Sequence, residues 1–148
     1  TIVDLIRNDL SMVASQVRVK RFKYIEKIRT HRGELLQMSS EITGKLPANY
    51  REYLGDILFR LLPAGSICGA PKKKTLEIIL DTEGYQRGYY TGIFGHFDGR
   101  NLDSAVAIRY LEKVGDQMVF KSGGGITFQS EWRKEYEEMQ NKVYVPVY

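Results

Sequence analysis

A run of three glycines, Gly123 to Gly125, precedes a stretch in which Glu135, Glu138 and Lys142 recur at helical spacing. Offsets of three and four residues set these side chains over one another on an α-helix, at roughly 0, 300 and 340 degrees around its axis. Glu131 extends the stripe, while Trp132, Tyr136, Met139 and Val143 fall on the neighbouring face, which is expected to pack. Two carboxylates on one helical face can bind Mg²⁺ directly or through water, because that hard cation keeps several waters and needs few protein ligands. Consecutive glycine N–H groups can converge on an anion, since no side chain screens them and positive φ costs little. Plainer readings stand beside these: glycine runs also make turns and bulges, and Glu138 with Lys142 has the favourable order of a surface i, i+4 ion pair.

Arg109 interrupts the apolar run Ala105 to Leu111 and needs a partner there, either a buried carboxylate or the carboxylate of a ligand gripped by its bidentate fork. Tyr90, on a neighbouring strand, adds a hydroxyl donor, although a core aromatic would serve equally. His31 and His96 have no adjacent acidic residue, which gives poor grounds for a catalytic dyad. No P-loop, nucleophile elbow or zinc signature is present in the sequence.

The elements that must position these groups follow from periodicity. Residues 1–14 read as an amphipathic helix, and Val17 to Ile28 and Leu35 to Leu46 as strands, the second alternating Gln37, Ser39, Glu41 and Thr43 with apolar neighbours. A helix is expected over Tyr50 to Leu62, ended by Pro63. The small-residue loop Gly65 to Pro71 leads into a helix reaching about Thr82, with Pro71 in its first turn and Leu76, Ile79 and Leu80 as its buried row. Strands are expected over Tyr89 to Phe97, Ser104 to Val114, Gln117 to Lys121 and Ile126 to Phe128, and a closing helix from an N-cap at Ser130. No repeat or linker divides the chain, so one domain with a real core is the simplest count for 148 residues.

The net charge of +4 is concentrated between Arg18 and Arg32. Without a nucleic-acid motif beside it, this run reads as the solvated side of a hairpin, and no nucleic-acid partner is expected. No stretch approaches the roughly 20 apolar residues of a membrane span. The single cysteine, Cys68, excludes an intrachain disulfide, so no membrane partner and a cytoplasmic location are expected. A first residue of threonine suggests a fragment of a longer protein.

Five motifs in order resemble the chorismate-binding enzymes along the whole chain: Ile2 to Leu10, Pro63 to Lys72 with Glu77, Arg87 to Gly92, Asn101 to Arg109, and Gly123 to Ile126 with Glu135, Glu138 and Lys142. The resemblance implies an α+β fold, the C-terminal part of the family's sheet-and-helix sandwich, with the N-terminal part outside this chain. The wording of residues 63–75 and 138–146 is most similar to the aminodeoxychorismate synthase component I branch. That branch aminates chorismate with glutamine-derived ammonia for para-aminobenzoate and folate, with Mg²⁺ as cofactor and a glutamine amidotransferase subunit as partner.

By the same resemblance, Glu138 is a direct Mg²⁺ ligand and Glu135 a ligand through water. Gly123, Gly125 and Lys142 hold the ring carboxylate, and Arg109 and Tyr90 the enolpyruvyl carboxylate. Three departures stand out. Gln37 occupies the place of the family's histidine and cannot transfer a proton at neutral pH, which favours amination over the anthranilate-type elimination of pyruvate. Cys68 replaces a serine or threonine near the enolpyruvyl group. The turn between Tyr90 and Arg109 is one residue short. Gln37 and Lys142 are the implied catalytic positions. The family's other Mg²⁺ glutamate and an upstream lysine fall before Thr1, so the chain alone is expected to be inactive. The alternatives are anthranilate synthase component I and a non-catalytic module for a chorismate-like ligand.

Overall fold

The computed structural model describes residues 1–30 and 33–145. His31 and Arg32, part of the basic run, and Pro146 of the closing motif lie outside them. Helices combine with antiparallel two-stranded sheets, an α+β arrangement as expected. The chain forms two compact units, Thr1–Gln86 and Arg87–Tyr148.

In the first unit, helix α1 (Ile2–Ser11) packs against the base of a long hairpin of β1 (Ser15–Thr30) and β2 (Gly33–Lys45). Three register shifts bend β1, between Ser15 and Arg18, Val19 and Arg21, and Arg21 and Tyr24, and Gln16 and Lys23 take positive φ there. The solvated basic side is present and partly neutralised: Lys20 Nζ lies 2.7 Å from Glu41, and Arg21 stacks 3.6 Å from the Tyr24 ring centre. Residues 50–62 do not form one helix. A 3₁₀ turn, Tyr50–Tyr53, precedes α2 (Leu54–Leu61). The small-residue loop contains a one-turn helix, α3 (Gly65–Cys68), and Pro71 is the N-cap of α4 (Lys72–Thr82), one place earlier than expected. Leu76 and Ile79 are half-buried, but Leu80 is 69% exposed and does not belong to a buried row.

The centre of this unit is polar. Asp9 is buried, accepts the Gly65 N–H at 2.6 Å, and lies 2.9 Å from Lys72 Nζ, an ion pair made outside hydrogen-bond directions. A Cβ at Gly65 would stand 2.9 Å from Asp9 Oδ2, so only glycine lets the loop backbone reach the carboxylate. One side chain of α1 thereby fixes the starts of α3 and α4.

In the second unit, β3 (Ile93–Phe97) pairs with β4 (Leu102–Val106), and β5 (Tyr110–Val114) with β6 (Gln117–Lys121). Helix α5 (Trp132–Asn141) closes the unit. Four expectations are corrected here. Residues 89–92 form a turn before β3; the expected strand Ser104 to Val114 breaks at residues 107–109; Ile126 to Phe128 is not a strand; and the N-cap is Glu131. Ser130 instead accepts the Thr127 N–H at 3.1 Å, holding the preceding turn. The apolar face of α5 packs only in part: Met139 is half-buried, but Trp132 is 73% exposed, and Tyr136 and, beyond the helix, Val143 are also exposed. The expected core is correspondingly thin, with Cys68 the one buried apolar residue among those described.

Candidate ligand site in the second unit

The β3–β4 ladder continues past its regular strands, with Thr91 N–H on Ala107 O at 2.8 Å and Ala107 N–H on Gly92 O at 2.9 Å. Tyr90 and Arg109 therefore leave the same end of the ladder. The reason Arg109 does not sit in a strand is local: its φ is +53°, a left-handed conformation that ends β4 and turns the chain into β5. Thr91 is left-handed too, with φ +66°, a costly geometry for a β-branched residue. Its hydroxyl donates to Tyr90 O at 2.6 Å and accepts from Arg87 Nη1 at 3.0 Å, while the Arg87 guanidinium lies 5.7 Å from the Tyr90 ring centre. Arg87 and Thr91 thus brace Tyr90, a role that sequence reasoning missed. The available signal was an arginine three residues ahead of Tyr90 across a glycine.

Beyond the end of β6 the glycine run begins, and Tyr90 Oη stands so close to Gly123 that a Cβ there would collide with it. Gly124 faces Glu135, whose Oε2 would be 3.6 Å from an added Cβ, and Gly125 opens onto empty space. None of the three takes positive φ, so the backbone freedom expected of the run is not used, and only Gly123 is required to be glycine by close approach. Ser122 Oγ donates to Met139 O at 3.5 Å, linking the start of the run to α5.

On α5, Glu138 and Lys142 form an ion pair across one turn. The Lys142 hydrogen bond and charge, and to a smaller degree the Arg109 charge, hold the Glu138 carboxyl below its ordinary value. The second unit therefore assembles Tyr90 against Gly123, Glu135 near Gly124, and Glu138 paired with Lys142.

Gln37 and Cys68 belong to the first unit. Gln37 pairs with Glu26 across the hairpin, and Ser39 donates to that same Glu26. Cys68 donates its S–H to Ala64 O at 3.4 Å, and burial pushes its thiol up despite the nearby Lys72 ammonium. A cavity of about 320 Å³, lined by Met12, Val13, Pro47, Tyr50, Tyr53 and Ile57 among others, also lies in the first unit and contains none of the candidate residues. Among the described residues no three His, Cys, Asp or Glu side chains converge as a metal cluster. Glu135 and Glu138 carry two carboxylates one turn apart on α5, a donor type that would suit Mg²⁺ with water completing its shell but that does not by itself close a site.

The chain matches the family model described as chorismate binding enzyme over residues 1–147. It belongs to the chorismate-binding enzyme family. Among relatives, it is 59% identical over 147 residues to a Haemophilus influenzae protein named as an uncharacterized PabA-like protein, covering 99% of this chain and 45% of that one. Identity is 38% to anthranilate synthase component 1 of Spirochaeta aurantia, over 96% of this chain and 29% of the relative. It is 36% to aminodeoxychorismate synthase component 1 of Bacillus subtilis, over 97% and 30%. The chain spans less than half the length of these curated relatives. The α+β arrangement is that expected of part of a chorismate-binding fold.

Proposed function

We propose that the protein containing this chain converts chorismate and ammonia to 4-amino-4-deoxychorismate with Mg²⁺. The observation that carries the reading is the grouping in the second unit: a carboxylate face on α5, a lysine at its C-cap, and Tyr90 and Arg109 leaving one ladder end, with Tyr90 against the glycine run. Chorismate carries two carboxylates. Arg109 and Tyr90 offer a guanidinium and a hydroxyl to one, and Lys142 with the glycine backbone from Gly123, beneath the Tyr90 hydroxyl, to the open Gly125 receives the other. Glu135 and Glu138 would hold Mg²⁺, which when bound supplies positive charge against the ring carboxylate and the departing hydroxyl. In the net reaction a C–N bond to ammonia replaces the C–O bond of the ring hydroxyl, and water is released.

Two features favour amination without pyruvate loss and an external ammonia source. Gln37 stands at the place of the family's histidine and cannot relay a proton, which elimination of pyruvate requires. Cys68, the single cysteine, is buried with a raised thiol pKa, unlike an activated glutaminase nucleophile. A glutamine amidotransferase subunit is the corresponding partner. The test is to supply the full-length protein with chorismate, MgCl₂ and an ammonium salt and to identify the product by mass spectrometry. Aminodeoxychorismate is expected; anthranilate would replace this reading by the anthranilate synthase one, and no turnover with tight chorismate binding by that of a non-catalytic module.

A further inference from the structure

Lys142 and Glu138 are partners in the structure, yet the proposed function gives them different ones, a ligand carboxylate and a metal. Lys142 is the C-cap of α5, with its backbone N–H on Glu138 O at 3.1 Å. Its ammonium reaches back over the same turn to the Glu138 carboxylate, with the lysine side chain 24% exposed and the glutamate 58% exposed. The backbone is fixed by the cap, so only side-chain torsions separate the paired and unpaired states.

We infer that Lys142 is a competitor for the divalent cation at Glu138: the ion pair opens when the metal enters, and opening it frees the ammonium for a ligand carboxylate. This rests on the reading of Glu138 as a metal ligand. A divalent cation and an ammonium on one carboxylate would place like charges within a few ångströms of each other, a repulsion that solvent at this exposed carboxylate weakens without removing. With the metal bound alone, Lys142 is left with its counter-charge taken, and a carboxylate ligand restores the balance. Metal and carboxylate ligand consequently raise each other's affinity, by the same factor in each direction.

Mg²⁺ binding to the full-length protein, measured by isothermal titration calorimetry without and with chorismate, tests this in wild type, Lys142→Met, Lys142→Gln and Glu138→Gln. An exposed ion pair is a modest competitor, so both lysine variants should bind Mg²⁺ alone about three- to fivefold more tightly than wild type. Chorismate should tighten Mg²⁺ binding by a larger factor in wild type than in either variant. Far-UV circular dichroism checks folding, and the two lysine replacements serve as controls for each other. Unchanged or weaker Mg²⁺ affinity in folded Lys142 variants, with Glu138→Gln weakened, overturns the competition while leaving the metal reading intact. Mg²⁺ affinity insensitive to Glu138→Gln removes the metal reading and the competition together.

Discussion

A methyl group on Gly123 would press on the Tyr90 hydroxyl, the end of a rigid ring whose centre lies 5.7 Å from the Arg87 guanidinium, itself held by Thr91. Because the obstacle is one atom at a ring's edge, Gly123→Ala is expected to cost only about 1 kcal/mol, the low end for overpacking, and to swing Tyr90 out of place. The double variant Gly123→Ala with Tyr90→Phe removes the obstacle and should recover most of the lost thermal midpoint, without restoring affinity for chorismate. Equal midpoints for wild type and Gly123→Ala would mean that the ring does not stand against the glycine. The same residues show what the sequence could reveal about the site. Glu135, Glu138 and Lys142 were legible because helical spacing alone sets them on one face. The closeness of Tyr90 to Gly123 was not, since it depends on how the 32 intervening residues of ladder and turn fold back.

At the scale of elements, the β3–β4 connection is held by one side chain. Asp98 accepts the backbone N–H groups of Arg100 and Asn101 at 2.7 and 2.5 Å, and those bonds hold its carboxyl below the ordinary value. A carboxyl whose folded pKa is depressed contributes stability above its unfolded pKa and loses that contribution as pH falls through the folded value. Asp98→Ala should therefore lower the thermal midpoint at pH 7, and the gap from wild type should close as pH falls below the ordinary carboxyl range. A gap of constant size would show that the charge is not what holds the turn. Asp98-Gly99-Arg100-Asn101 announced this turn by composition. The break at Arg109 was hidden, because Ala105 to Leu111 has the apolar texture of one continuous strand and only the left-handed φ of Arg109 divides it. The hairpin of β1 and β2 and the helices α1, α4 and α5 were visible in outline, with errors of one to three residues at their ends, where hydrogen-bond choices such as that of Ser130 decide the boundary.

For the molecule as a whole, apolar periodicity predicted buried faces that are exposed in the structure. Phe128 is 96% exposed, and Phe59, Tyr89, Ile126 and Trp132 are each more than 70% exposed. Scattered exposed apolar residues are ordinary, but so many large ones beside a nearly absent core are not. Amphipathic patterns report that a face is apolar and leave unsaid what covers it. The matched relatives are more than twice as long, so a protein of their length has ample chain to cover these faces. Produced as residues 1–148 alone, the chain should bind an apolar dye such as anilinonaphthalene sulfonate strongly, self-associate as concentration rises, and bind Mg²⁺ weakly through two carboxylates. The full-length protein should leave the dye dark at equal concentration. A monomeric, dye-silent 148-residue chain would show that these faces find partners within the chain itself, and the apolar stripe of α5 would then have to be read as packed in solution.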